Sequence, residues 1–330
     1  MLQETHDLDE ILDRVKRGTG LTPVLSNREA ERLVKDKIIP QKIRIVPFYD
    51  DDYPEPLKTL YDPPPILYIK GEYRPQDQVA LGVVGTRRYT DYGRRVSADL
   101  VVQLVARGVT VISGMALGID AFAHRAALDA GGRTIAVLGS GVDVIAPIQN
   151  SKIYHRMVES GAVVSEFLPG IEGGKHTFPQ RNRIISGLSL GVLVVEAGET
   201  SGALITADFA VEQGREVFAI PGEISSHASV GTNKLIQTGA KLVASVEDIL
   251  DELPQLGRVD INSPDGSAMV KLSDPTEQVV CDLLTEHKSL NTDEILSSTV
   301  LDAGSVLTAI SSLELRGLIK RASGDVFGIV

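Results

Sequence analysis

From residue 79 to about 250, short apolar runs alternate with longer stretches of helical periodicity. The runs at 79–84, 109–112, 134–138, 162–164, 192–195 and 216–220 are mostly bounded by glycine. Between them, residues 93–107, 118–130, 152–159 and 203–213 space their apolar side chains as helices do. Strands apolar on both faces and separated by helices belong to a parallel sheet covered on both sides. The pattern predicts an α/β fold over residues 43–250: a doubly wound, mostly parallel, Rossmann-like sheet.

The flanks read differently. Ser26 and Glu29 have capping-box spacing, and Ala30, Leu33, Val34 and Ile38 follow on one helical face, so residues 1–42 read as a small helical module. Asp62-Pro63-Pro64-Pro65 favours extended or turn backbone. Residues 251–273 are polar, with Pro254, Gly257 and Asn262-Ser263-Pro264-Asp265-Gly266, and read as a linker. Residues 274–330 are amphipathic, with Val279, Val280, Leu283, Leu284, Ile295, Leu296, Val306, Leu307, Ile310, Leu313 and Leu318. A strand pair at 319–322 and 326–330, around Ser323-Gly324-Asp325, completes a winged-helix-like domain.

Composition narrows the setting. The lone Cys281 allows no internal disulfide, which fits a reducing compartment. The start, MLQETHDLDE, is acidic and lacks the apolar core of a signal peptide. No apolar run approaches the roughly 18 residues of a membrane span. The expected location is the cytoplasm, without membrane contact. The net charge of −11 argues against a protein that coats nucleic acid with its whole surface. Residues 251–330 hold 6 basic and 13 acidic side chains, whereas 43–250 hold 19 and 23. An anion site must be a local patch within the middle segment.

In an open parallel sheet, ligands bind beyond the carboxyl ends of the strands, where helix amino termini present free N–H groups. Three glycine-rich turns fall at those ends: Gly85-Thr86-Arg87-Arg88, Ser113-Gly114-Met115-Ala116-Leu117-Gly118, and Glu196-Ala197-Gly198-Glu199-Thr200-Ser201-Gly202. Each is suited to a phosphate, or is simply a tight turn. Three on one edge, one of them with an arginine, favour the anion site. The densest basic stretch is Gly173-Gly174-Lys175-His176-Thr177-Phe178-Pro179-Gln180-Arg181-Asn182-Arg183. Phe178 is either a base-stacking platform or a core residue, and the arginines are either phosphate contacts or a solvated helix face. His124 and Asp120 share a helical face, more in keeping with structural hydrogen bonding than with catalysis. There is no G-x-G-x-x-G, no phosphate-binding P-loop and no metal-ligand spacing, so no cofactor, metal or catalytic residue is expected.

At this point the chain resembles the DNA-processing protein A (DprA/Smf) family from Tyr53-Pro54 to about Leu250. The matching segments include Val83-Val84-Gly85-Thr86-Arg87, the turn Ser113 to Asp120 with Ala123-His124, and Phe178-Pro179 with Arg181-Asn182-Arg183. Further matches are Ser201-Gly202-Ala203-Leu204-Ile205-Thr206-Ala207, Pro221-Gly222 and Gly231-Thr232-Asn233-Lys234-Leu235-Ile236. The resemblance implies a non-enzymatic homodimer that binds single-stranded DNA, protects it and loads the RecA recombinase in natural transformation. It implies DNA contacts by Gly85, Thr86, Arg87, Ser113, Gly114, Lys175, His176, Phe178, Arg181, Asn182, Arg183, Ser201 and Gly202. Thr86 stands where the family has serine, Gln180 where a basic residue is common, and Ala146 where tyrosine is common.

The alternative is a nucleotide-cleaving enzyme like the lysine-decarboxylase-like Rossmann group, with Glu196 or Glu223 as general base. The turn Glu199-Thr200-Ser201-Gly202 lacks the consecutive glycines typical of that group. In the tail, the candidate recognition helix 305–316 carries only Glu314 and Arg316 as charges. That is poor equipment for reading duplex DNA and fits a protein-contact or regulatory module.

Overall fold

The computed structural model describes residues 27–257, 275–287, 289–299, 301–315, 319–321 and 325–329. The chain divides into two units, Met1–Gly257 and Arg258–Val330. The expected features at residues 1–26 (including the Ser26 cap), 258–274, Arg316, Leu318 and Ser323-Gly324 lie outside the described residues.

The first unit is built on a nine-stranded sheet: β1 Arg44–Pro47, β2 Ile66–Gly71, β3 Ala80–Val84, β4 Thr110–Ser113, β5 Thr134–Val137, β6 Ala162–Ser165, β7 Gly191–Val194, β8 Glu216–Ala219 and β9 Lys241–Leu242. Their spatial order is β1-β2-β6-β5-β4-β3-β7-β8-β9. Strands β3 to β9 run parallel, while β1 pairs antiparallel with β2 and β2 with β6. From β3 the chain winds outward through β4, β5 and β6. It then returns to β7 on the other side of β3 and continues to β8 and β9. The order therefore reverses between β3 and β7, the place where sheets of this kind leave a crevice.

The helices of this unit are α1 Asn27–Leu33, α2 Glu55–Lys58, α3 Asp91–Val105, α4 Ile119–Asp129, α5 Ser151–Ser160, α6 Thr177–Gly187, α7 Gly202–Glu212, α8 Val230–Gln237 and α9 Glu247–Glu252. Alternate strand residues feed opposite layers. Ala80, Val84, Ile112, Val192 and Val194 pack with Ile184, Ile185, Ala203 and Ala207 of α6 and α7. Leu81, Val83, Val111 and Leu193 pack with Leu100, Leu104, Ile119 and Ala123 of α3 and α4. This double coverage is why the strands read as continuous apolar runs.

Several elements differ from the sequence expectation. The strand β2 starts directly after the proline run, and Tyr53 donates its hydroxyl to the Pro64 carbonyl (2.6 Å). Prolines at a strand's entry do not prevent pairing further along it. Ala30, Val34 and Ile38 share a cluster with Ile45, Tyr68 and Tyr154, so the N-terminal helical segment packs onto the sheet domain. Lys37 pairs with Asp143 (2.9 Å) across that contact. Leu253 and Leu256 belong to the second cluster, so the fold continues through the 3₁₀ turn Pro254–Gly257 instead of ending in a linker at 251. Helix α6 was expected only as one reading of a basic stretch. It is buried along Arg181-Asn182-Arg183.

The second unit holds α10 Pro275–His287, β10 Ser289–Asn291, α11 Thr292–Ser297, α12 Ala303–Leu315, β11 Ile319–Arg321 and β12 Val326–Ile329. Its sheet runs β10-β12-β11, all antiparallel, giving a winged-helix arrangement. Val280, Cys281, Leu284, Ile295, Val306, Ile310, Leu313 and Phe327 form its core. Val279 and Leu307, part of the amphipathic pattern, are exposed.

Candidate nucleic-acid interface

The crevice at the β3/β7 reversal is a cleft of about 720 Å³. Its walls come from elements distant in sequence: the turn after β3, the turn after β4, the start of α6, the turn after β7 and the loop before α8. The first and fourth of these are tied together by Thr86 N–H donating to the Glu196 carbonyl (2.7 Å).

The turn after β3 lies against the turn after β4 because Gly118 has no side chain. Gly118 sits at φ +88°, and a Cβ there would lie 2.4 Å from the Thr86 carbonyl oxygen and 2.9 Å from the Arg87 Cα. Held there, Arg87 projects into the cleft with its guanidinium carbon 5.9 Å from the centroid of the Phe178 ring. Phe178 is seated by two more glycines. A Cβ on Gly139 would meet its Cδ1 at 2.8 Å, and one on Gly173 its Cζ at 2.9 Å. The ring is thus closely packed by both glycine segments and half-buried, with Arg87 over it. Lys175 and Arg88 complete the exposed cationic lining. Among the described residues, Arg87, Arg88 and Lys175 make no ion pair.

The floor is a buried charged clamp. Arg181 is 5 % exposed and lines the cleft, and it donates to the Gly114 carbonyl (2.8 Å), the Val137 carbonyl and Asn182 Oδ1 (3.2 Å). Asp120 accepts from the Ala116 N–H (3.3 Å). Burial pushes its carboxyl above the usual range, against the pull of Arg181 and the N–H groups of Ala116, Gly114 and Gly85. Burial lowers the Arg181 guanidinium to about 10, with Asp120 opposing and Arg87 adding to the effect, so it stays cationic at neutral pH. On the opposite wall, Ser201 caps α7 by accepting from Ala203 N–H (3.3 Å), and Asn182 Nδ2 donates to the Gly202 carbonyl (3.3 Å). Thr200, Ser201 and Gly202 bring the amino end of α7 to the cleft, a favourable place for a phosphate.

Of the residues singled out in the sequence, Gly85, Thr86, Arg87, Lys175, Phe178, Arg181, Asn182, Ser201 and Gly202 line this one cleft. The others do not. Ser113 is fully buried and donates to the Val83 carbonyl (2.6 Å), and Gly114 is covered by the Arg181 guanidinium. Arg183 points the other way, paired with Glu166 (2.8 Å) and Asp62 (3.4 Å). His176 is exposed beside the cleft but not in its lining. Sequence reasoning missed Arg88, Asp120 and His227 as lining residues. Arg88 adjoins Arg87 in the same turn, a signal that was present. His227 comes from a loop between β8 and α8 that carries no periodicity.

Neither expected general base serves the cleft. Glu196 is 2 % exposed and accepts from the backbone and hydroxyl of Thr90, the N-cap of α3. Glu223 is exposed and outside the lining. Asp120 and His124 do not pair: His124 Nδ1 bonds Thr134 Oγ1 (2.6 Å). Among the described residues, no group of three His, Cys, Asp or Glu is placed to hold a metal, and no helix is long and apolar enough to cross a membrane.

Residues 44–254 match the family profile described as DNA recombination-mediator protein A. The chain belongs to the DprA/Smf family. A DprA winged helix domain matches residues 267–325, in agreement with the second unit. The DNA processing protein DprA of Bacillus subtilis is 44 % identical over 216 residues, 65 % of this chain and 73 % of that protein. The crystal structure of DprA from Streptococcus pneumoniae is 42 % identical and superposes with a TM-score of 0.61, covering 68 % of this chain and 81 % of that one. A DprA from Helicobacter pylori, described for its single-stranded DNA binding mode, is 27 % identical with a TM-score of 0.59 over 65 % of this chain and 96 % of that one.

Proposed function

We propose that this DprA/Smf protein captures single-stranded DNA, without regard to sequence, in the cleft at the β3/β7 reversal. The observation that carries the reading is Arg87 over the Phe178 ring, with Lys175 in the same lining. Unpaired cations suit a phosphodiester backbone, and an aromatic face suits any base. The single-stranded DNA binding ascribed to the Helicobacter pylori relative supports it. The contacting set is Gly85, Thr86, Arg87, Lys175, Phe178, Asn182, Ser201 and Gly202, with Arg181 acting from the floor. Ser113, Gly114, His176 and Arg183 drop out of it because none of them lines the cleft.

Membership of a recombination-mediator family supports a further step: the protein protects the captured strand and loads RecA recombinase onto it in transformation and recombination. It works as a cytoplasmic homodimer, without enzymatic turnover, and its acidic winged-helix unit contacts protein. The commitment of Glu196 to the α3 cap supports the non-enzymatic reading over nucleotide cleavage.

Salt-titrated binding of oligo(dT) tests the cleft. Each phosphate contact contributes about −0.7 to the log–log slope on single strands. Arg87→Ala and Lys175→Ala are each expected to weaken binding and flatten the slope by about that amount. Phe178→Ala is expected to weaken binding with the slope unchanged. Wild-type affinity and slope in Arg87→Ala and Lys175→Ala together would overturn the assignment.

A further inference from the structure

The lip of the cleft carries an aromatic and basic cluster, of which Arg88 alone also lines the cleft. Tyr89 follows Arg87 and Arg88 in the turn after β3 and is 43 % exposed. Its ring meets Phe122, on the first turn of α4, edge-to-face at 4.6 Å between centroids and 85° between planes. One turn further along α4, Arg125 places its guanidinium carbon 5.9 Å from the Phe122 centroid. Arg88 and Arg125 are both exposed.

Three features separate this cluster from ordinary packing. An edge-to-face pair keeps the faces of the edge-on ring open for a third planar partner. The Tyr89 hydroxyl makes no hydrogen bond among the described residues, whereas that of Tyr92 on the next helix donates to the Pro221 carbonyl (3.0 Å). The cationic groups are unspent as well. Among the described residues Arg88 and Arg125 form no ion pair, while the nearby acids are already engaged: Asp91 with Arg94 (3.4 Å) and Asp129 with Arg156 (2.7 Å). The result is stacking surface and net positive charge on one ridge of an acidic protein.

The ridge is continuous with the cleft. Arg87 and Arg88 both line the cleft, and two residues of extended chain from Arg87 to Tyr89 reach at most ~7 Å. That span matches roughly two stacked nucleotides at about 3.4 Å each. The two ends also repeat one chemistry: arginine over Phe178 inside, arginine over Phe122 outside, each at 5.9 Å.

We propose that Tyr89, Phe122, Arg125 and Arg88 form a second single-stranded DNA subsite, which carries the strand out of the cleft and along the outer face of α4. This rests on the cleft reading above. Bases stack on Tyr89 and Phe122, and Arg88 and Arg125 neutralise the phosphates between them.

Strand length tests the proposal. Oligo(dT) of about 4 nucleotides occupies the cleft alone, and one of about 16 reaches the ridge, within the range that single-stranded DNA-binding domains cover. Tyr89→Leu keeps an apolar side chain against Phe122 and removes the aromatic face. It is expected to weaken the longer oligonucleotide roughly 5-fold or more and the shorter one less than 2-fold. Arg125→Ala is expected to behave likewise and to flatten the salt slope of the longer strand by about 0.7. The chain has no tryptophan, so Tyr89→Trp supplies a single reporter whose fluorescence the longer strand quenches and the shorter does not. Arg87→Ala is the control and weakens both lengths. The subsite is overturned if Tyr89→Leu and Arg125→Ala bind both lengths as the parent does and Tyr89→Trp is not quenched, while Arg87→Ala still weakens both. Parental binding by Arg87→Ala at both lengths would instead sink the cleft reading, and this extension with it.

Discussion

The turn that holds Arg87 depends on the missing side chain of Gly118, and replacing it with alanine is expected to damage stability and DNA capture together. Two costs add. At φ +88° and ψ −132° an L-residue occupies a sparsely populated region, at about 1–3 kcal/mol. The new Cβ would also sit 2.4 Å from the Thr86 carbonyl oxygen, where ordinary contact begins at 3.4 Å, so that segment must retreat by about 1 Å. Retreat stretches the Ile119 N–H bond to Thr86 O, already 3.3 Å, at a further ~0.5–1.5 kcal/mol. The sum is about 2–4 kcal/mol, read as a lower urea midpoint with unchanged m-value. Because the Arg87 Cα lies 2.9 Å from the same Cβ, the guanidinium shifts off the Phe178 ring. Oligo(dT) affinity, measured where the variant is fully folded, is expected to fall about tenfold, the loss of one charged contact of ~1.4 kcal/mol. A variant with the parental midpoint refutes the steric argument. A destabilised variant with parental affinity refutes the claim that this contact positions Arg87.

Three further outcomes follow from the buried groups and the unit division. Arg183→Ala strands the Glu166 carboxylate, which is 2 % exposed, and is expected to cost about 3–5 kcal/mol. Arg183→Met combined with Glu166→Leu is expected to recover most of that in urea unfolding, and the folded single variant binds oligo(dT) as the parent does. His124 is neutral in the native state at neutral pH: burial, aided by Arg181, pushes it down to about 3, and its Nδ1–H donates to a Thr134 hydroxyl that itself donates to the Val111 carbonyl. Its contribution is therefore intact above the ordinary value near 6.5 and lost as pH falls from there toward 3, by about 2 kcal/mol at pH 5. His124→Gln is expected to flatten the stability profile between pH 6.5 and 5, and an identical slope in both proteins would show that His124 is not the group responsible. A chain ending at Gly257 is expected to keep parental affinity for short oligo(dT), since the cleft lies wholly in the first unit; loss of binding would place part of the site in the winged helix.

Much of this was legible in one dimension. Strand and helix positions between 79 and 220 follow from local periodicity, and the glycine turns mark the strand ends because a strand-to-helix reversal needs backbone freedom there. Arg87 stood out in one of those turns and Lys175 and Phe178 in the basic stretch 173–183, and the fold brings all three to one cleft. The strands β1 and β2 stayed hidden because proline punctuation outweighs a short apolar run. Leu256 stayed hidden because a lone leucine among polar residues shows its burial only through its neighbours.

The sequence by itself determined the parallel sheet, the edge on which the glycine turns gather and the class of side chains found there, since periodicity, turn residues and side-chain class are properties of neighbouring positions. Only the tertiary structure decided which members of the buried run Arg181-Asn182-Arg183 face the cleft. Successive helical residues point about 100° apart. With α6 covered on more than one side, Arg181 is turned under the cleft toward Gly114 and Val137, and Arg183 away from it toward Glu166 and Asp62. Those partners lie between 17 and 121 residues away in sequence, so no local pattern encodes the choice.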